Sequence, residues 1–259
     1  MRLAVVGATG LVGATMLEVL RERQFPAAEI VPFASERSAG SQVDGLTVQP
    51  LSEETIEGFE IAIFSAGAGV SREWAPRFVE RGATVIDNSS AFRRDPEVPL
   101  VVSEVNPGAL TRHKGLISNP NCSTMALVVA LAPLHRAAGT ERLVVATYQS
   151  VSGTGKQAID ELDNQAHASL HGMDMPAAEV YPEPIAFNVI GAAGSFADGD
   201  DHTDEERKMM FETRKILEDQ SIGIAVTCVR VPVRISHSEA VNVQTREPLS
   251  APAARELLS

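Results

Sequence analysis

The sequence predicts an α/β fold, with a doubly wound parallel sheet in the first half and a second α+β domain on a mixed or antiparallel sheet. Three observations predict it. Short apolar runs alternate with helical patterns through the first half. A glycine-spaced turn joins the first such run to the first helix. After residue 123 the pattern changes to long β-prone runs. Alternating strands and helices require crossover connections, which parallel sheets use, while long runs separated by short breaks do not.

Each element has its own signal. Residues 2–6 are a short buried-type strand, 7–13 a turn, and 11–23 carry apolar residues at helical spacing (Leu11, Val12, Met16, Val19, Leu20). Strands are expected at 30–34, 60–64 and 83–87, and a helix at 72–81. Cys122 precedes an apolar run, 125–134, that reads as a helix. A long strand follows at 142–151, a charged helix at 203–220, and β-prone runs at 222–235 and 239–245. The polar break at 236–238 makes that last pair read as a hairpin, with His237 at its turn. Residues 191–202, rich in Gly, Asp and Ser, read as a mobile loop. The domain boundary is expected after residue 122, giving 1–122 and 123–259. Ser250-Ala251-Pro252 starts an amphipathic helix that stops after about two turns, which reads as a truncated chain.

Composition narrows the function classes. A chain of 259 residues, 44% of them hydrophobic, can bury a real core. The formal net charge of −12 argues against nucleic acid and against an anionic membrane surface. Cys122 and Cys228 make no disulfide framework, metal-ligand spacing is absent, and no apolar run approaches membrane-spanning length. The expectation is a cytoplasmic protein with small-molecule partners.

Gly7, Gly10 and Gly13 recur at intervals of three, after a strand and at the opening of a helix. In that context the glycines let backbone approach a pyrophosphate while the helix N-terminus supplies N–H donors. The first domain is therefore read as Rossmann-like and dinucleotide-binding. At the end of the second strand, Arg37 and Ser38 suit the 2′-phosphate of NADP, with Glu36 dissenting; a solvated surface charge is the plainer reading of Arg37 alone.

Three later residues suggest chemistry. A thiol in the first turn of a helix faces free N–H groups and the positive end of the dipole, which favour thiolate. A lone cysteine is more often an inert apolar residue, and Cys228, inside a β run, fits that reading. Arg230 interrupts an apolar β run, so an anionic ligand or a protein carboxylate must meet it. His237 draws interest from its closeness in sequence to Arg230.

Taken together these residues resemble aspartate-semialdehyde dehydrogenases of the bacterial type. The resemblance runs through nearly all of the chain and is most specific in Asn119-Pro120-Asn121-Cys122-Ser123-Thr124. It implies roles position by position. Cys122 is the nucleophile, Gln149 orients substrate and thioester, and His237 is the acid/base. Arg230 holds the substrate carboxylate and Glu205 its ammonium group. Arg93 and Lys208 hold phosphate with help from Asn121. Gly7, Thr9, Gly10, Leu11, Val12, Arg37, Ser38, Ser152 and Gly153 contact NADP. Glu205 and Lys208, three apart on the charged helix, share a face; an exposed ion pair is the competing reading. Implied with these are amino-acid biosynthesis, a homodimer, and tens of further residues after the point where this chain stops. Residues 170–182 match the family poorly and receive no role. Two alternatives stay open: another acyl-phosphate reductase, such as an N-acetylglutamyl-phosphate reductase, and a non-catalytic NADP-binding homologue.

Overall fold

The computed structural model describes residues 1–259, whose contacts divide into two units, Met1–Asn121 and Cys122–Ser259. The first unit runs β1 (Arg2–Val6), α1 (Leu11–Glu22), β2 (Glu29–Ala34), β3 (Gln42–Val43), β4 (Leu46–Thr47), β5 (Gln49–Pro50), β6 (Ile61–Phe64), α2 (Ala68–Glu80), β7 (Thr84–Asp87) and β8 (Leu116–Ser118). Six of these strands form one sheet in the order β5-β2-β1-β6-β7-β8, every pairing parallel.

β1 shows why the sheet is covered on both faces. Ala4 and Val6 join the core formed with Phe33, Phe64 and Phe78, the last from α2. Leu3 and Val5 point the other way and pack with Leu17 of α1. A strand apolar on both faces belongs in a doubly wound parallel sheet. The chain leaves β1 for β2 on one side and later returns to β6 on the other. That reversal is a topological switch point, and the Gly7–Gly10 turn lies at its carboxyl end, where such sheets bind ligands.

The glycines of this turn do different work. Gly7 has φ +87°, and a Cβ there would lie 2.4 Å from the Ser65 carbonyl oxygen. A Cβ on Gly13 would lie 2.2 Å from the Gly7 carbonyl oxygen. Only a bare backbone lets α1 and β6 approach the turn so closely.

The second unit contains α3 (Cys122–Ala138), β9 (Thr140–Gln149), α4 (Lys156–Leu170), α5 (Asp204–Ile216), β10 (Gly223–Arg230), β11 (His237–Thr245) and α6 (Ala251–Leu257). Its sheet is mixed, in the order β10-β9-β11, with β10 parallel and β11 antiparallel to β9. The two late strands are therefore not a hairpin, because β9 lies between them. The segment between them crosses the end of β9 and is satisfied there. Val231 N–H donates to Gln149 O (3.0 Å), and Val151 and Ser152 N–H donate to Val233 O (2.9 Å) and Arg234 O (3.1 Å). Pro232, which has no N–H for a ladder, lies in this segment, and β10 ends at Arg230 rather than at 235. His237 is the first residue of β11, not a turn residue.

Along β9, Leu143, Val145, Thr147 and Gln149 face inward. The core beneath contains Leu127 and Leu131 of α3, Met209 and Met210 of α5, and Val226 and Cys228 of β10. α5 starts with a capping box, Thr203 and Glu206 each accepting the other's N–H (2.9 and 3.3 Å). Glu206 also accepts the Cys228 N–H (3.1 Å), which ties this helix to β10. The loop 191–202 is fastened rather than loose: Ser195 N–H donates to Asp204 (2.9 Å), and Arg207 Nε donates to Asp200 (2.7 Å). Glu161 and Gln165, one turn apart on α4, each accept two consecutive N–H groups, from Glu179 and Val180 and from Ile185 and Ala186. No helix is long and apolar enough to cross a membrane.

Gly13→Ala is expected to destabilise the chain by about 1–3 kcal/mol, the usual cost of overpacking. The midpoint of urea denaturation measures it, and an unshifted midpoint would contradict the close approach of α1 to Gly7.

Candidate active site

Strand register builds the site in the second unit. Gln149 pairs with Arg230 on one side and with His237 on the other, so the three side chains share one row and one face. The next row on that face is Cys228, Thr147 and Glu239. α3 and α5 bring their residues to the same row. Gln149 Nε2 donates to Ser123 Oγ (2.8 Å) at the start of α3 and to Glu205 Oε1 (3.2 Å) on α5. Lys208 Nζ donates to Glu205 Oε2 (3.2 Å) and to Asp204 (2.6 Å).

Cys122 is the first residue of α3 and keeps an open face. Its thiol is nevertheless pushed above the ordinary value, by burial first and by the negative charge of Glu205 second, with local N–H groups opposing. The expectation of a resting thiolate is thus corrected: desolvation and a neighbouring carboxylate outweigh the helix start. Cys228 is fully buried with its Sγ 3.7 Å from Met209 Sδ, and burial pushes its thiol up to about 12, so it stays inert.

Arg230 is buried, and no carboxylate forms an ion pair with it. Its Nη1 donates to Ser150 O (2.7 Å), its guanidinium carbon lies 5.9 Å from the Tyr181 ring centre, and its buried Nε has no hydrogen-bond partner. His237 accepts the Ser150 N–H at Nδ1 (3.0 Å). Its pKa is lowered, chiefly by burial and also by the charge of Arg230, against opposing effects of Ser236 and Glu205. Lys208 is raised: burial works against its charge, but Asp204 and Glu205 outweigh that. At rest the row therefore holds a neutral imidazole, and the start of α3 a protonated thiol.

The remaining expected site residues lie as follows. In the first unit Gly7, Thr9 and Gly10 line a cleft of about 440 Å³ together with Ser35, Glu36, Ser65, Ala66 and Trp74. Leu11 and Val12 open α1, whose start no side chain caps and where a Cβ on Gly10 would meet nothing closer than 3.4 Å. Free N–H groups beside an open glycine suit a phosphate. From the end of β2 the lining takes Glu36, while Arg37 is exposed and Ser38 half-buried on a 3-10 turn. Arg93 is buried and donates to Asn88 O (2.9 Å), and Asn121 is buried at the end of this unit. In the second unit, Ser152 Oγ is 3.0 Å from Ser150 Oγ. A Cβ on Gly153 would lie 3.4 Å from His237 Nε2 and 3.3 Å from Arg230 Nη1. Gly153 thus lies beside His237. The sequence reading missed Ser123, Ser150, Tyr181 and Glu239, since a serine after a strand or a glutamate within one carries no chemical signal alone.

Residues 2–113 match the family described as semialdehyde dehydrogenase, NAD binding domain, and residues 131–259 match the semialdehyde dehydrogenase dimerisation domain. The aspartate-semialdehyde dehydrogenase of Aquifex aeolicus is 50% identical over 264 residues, covering 99% of this chain and 77% of that protein. That of Streptomyces akiyoshiensis is 49% identical, covering 100% of this chain and 80% of that protein. The crystal structure of aspartate semialdehyde dehydrogenase II from Vibrio cholerae aligns with a TM-score of 0.95 at 48% identity, over 99% of this chain and 78% of that one. The same enzyme complexed with ASA aligns at 0.94 and 47% identity.

Two measurements test the electrostatics. Glu205→Gln removes the charge that raises Cys122 and is expected to speed iodoacetamide labelling of Cys122 at pH 8 by about 2–10-fold; an unchanged rate would contradict the coupling. Burial raises Glu239 from 4.5 to about 7. A raised carboxyl binds its proton more tightly in the folded state, so stability falls as pH rises from 4.5 through about 7. Glu239→Gln should flatten that part of the pH dependence of Tm and raise Tm at pH 8; a parallel curve would refute it.

Proposed function

The chain belongs to the semialdehyde dehydrogenase family, and from that premise we propose that it is an NADP-dependent aspartate-semialdehyde dehydrogenase. In the biosynthetic direction it converts L-aspartyl 4-phosphate to L-aspartate 4-semialdehyde through a cysteine thioester. One observation carries the choice: Arg230 is a buried guanidinium without a protein carboxylate, in register with Gln149 and His237. A buried charge of this kind calls for an anionic ligand, and guanidinium geometry suits a carboxylate.

Arg230 receives the substrate α-carboxylate and Glu205 its ammonium group, so the two charges orient one zwitterion. Lys208, held by Asp204 and Glu205, offers its ammonium to the phosphate. The phosphate assignment of Arg93 and Asn121 rests on family resemblance alone. With the ligand seated, its ammonium cancels the Glu205 charge that raises Cys122, so substrate binding favours the thiolate. The Cys122 sulfur then forms a bond to the acyl carbon, the carbon–oxygen bond to phosphate breaks, and phosphate leaves with the bonding pair. Gln149, anchored on Ser123 and Glu205, keeps the acyl group over the sulfur. His237 meets the reacting group through Nε2, because Nδ1 is taken by Ser150.

NADPH, when bound, supplies the hydride that reduces the thioester to the aldehyde level. The Gly7–Gly10 turn and the start of α1 suit its pyrophosphate, and Arg37 and Ser38 are assigned its 2′-phosphate by family resemblance. We read residues 1–122 as the NADP-binding domain and 123–259 as the substrate-binding and dimerisation domain, the protein acting as a homodimer. A cytoplasmic location belongs to the same reading.

The test is to assay the chain with aspartate semialdehyde, NADP and phosphate, in parallel with the one-carbon-longer glutamate semialdehyde. The shorter substrate is expected to win; preference for the longer one would reject the assignment in favour of another acyl-phosphate reductase. Cys122→Ala should abolish turnover while leaving NADP affinity unchanged. Retained turnover would end the covalent mechanism.

A further inference from the structure

We propose that Ser150 is a positioning residue that fixes the proton of His237 on Nε2 and seats Arg230 beside it, an inference that rests on the active-site reading above. Ser150 is fully buried and spends every polar group on this pair. Its N–H donates to His237 Nδ1 (3.0 Å), its Oγ lies 3.3 Å from the same nitrogen, and its carbonyl accepts from Arg230 Nη1 (2.7 Å). Its Oγ also meets Ser152 Oγ at 3.0 Å, which lets Ser152 donate to Ser150 while Ser150 donates to the ring.

A neutral imidazole carries one N–H. With Nδ1 accepting from a backbone N–H that cannot reverse, the proton must sit on Nε2. Protonating Nδ1 as well would set two hydrogens against each other, so Ser150 also resists formation of the imidazolium. Nε2 and Arg230 Nη1 both border the space left by Gly153, where a Cβ would come within 3.4 and 3.3 Å of them. The donor face of the ring and the guanidinium therefore open onto one gap. The charged groups that act on the ring are Arg230 from β10 and Glu205 from α5, and Glu239 lies two residues along its own strand. None of these decides the tautomer, because none occupies Nδ1. His237 thus begins the cycle as a hydrogen-bond donor.

Long-range proton–nitrogen NMR on the whole chain, labelled with 15N-histidine, reads the tautomer directly, with His237 assigned by its loss in His237→Gln. The expected result is a protonated Nε2 and a hydrogen-bonded, unprotonated Nδ1. Ser150→Ala removes the hydroxyl but not the N–H, so the titration midpoint of His237 should rise by about 0.4–1 unit. Ser150→Thr should restore it. A proton on Nδ1 in the unmutated chain, or a midpoint that stays or falls in Ser150→Ala, would overturn the proposal. The tautomer of the unmutated chain decides the matter even if the alanine variant does not fold. No turnover is needed, so a chain that fails the aspartate-semialdehyde assay yet shows the Nε2 proton sinks the enzymatic reading and leaves this one standing.

Discussion

The placement of β9 between β10 and β11 is the constraint on which the second unit depends. β9 pairs in parallel with one strand and antiparallel with the other, and both ladders end at Gln149. Residues far apart in sequence become neighbours there because register permits no other alignment with the apolar face inward. A slip of one residue on either side would turn Arg230 or His237 to the opposite face. The rows below, Cys228-Thr147-Glu239 and then Val226-Val145-Val241, continue that register, with Cys228, Val145 and Val226 in the core. The segment crossing the strand end locks it by hydrogen bonding to residues 149–152.

The same arrangement explains the electrostatic character of the row. Arg230 and Glu205 offer opposite charges on two elements, with Gln149 bonded to the second. Burial leads in holding both reactive groups away from ionisation at rest, and the charges add to it: Glu205 raises Cys122 and Arg230 lowers His237. A zwitterionic ligand meets both charges, so occupancy and ionisation are linked. A thiol that stays protonated without substrate is also less open to stray oxidation or alkylation, since the thiolate is the reactive form.

The first unit works by exclusion of side chains rather than by placement of them. Gly7 and Gly13 are demanded by backbone crowding, since any Cβ there would overlap a carbonyl, and Gly7 also by its positive φ. Gly10 is not crowded in this way, which leaves room at the start of an uncapped helix. The reversal of strand order at β1 puts that room at the open end of the sheet.

How much of this was legible in the sequence follows the range of the interactions involved. The glycine turn, the alternation of short strands and helices, and the charged helix that became α5 are written within a few residues of one another. So is the oddity of Arg230, since an arginine in an apolar β run announces a need for a partner wherever the strand lies. The residues themselves pointed to Cys122, Arg230 and His237, and the family resemblance added Gln149. The sequence reading misplaced His237 in a turn and paired the two late strands with each other, because local patterning cannot tell which strand lies between two others. The resting state of Cys122 was misread for the same reason: its helix start is local, but the burial and the Glu205 charge that overcome it come from residues far along the chain. Ser150 was invisible, for its part depends on three backbone and side-chain contacts that only the closed sheet creates. By itself the sequence determined the element types and the chemistry available; the tertiary structure decided strand order, proton placement and charge, since these arise from contacts and dielectric surroundings that no local stretch of chain contains.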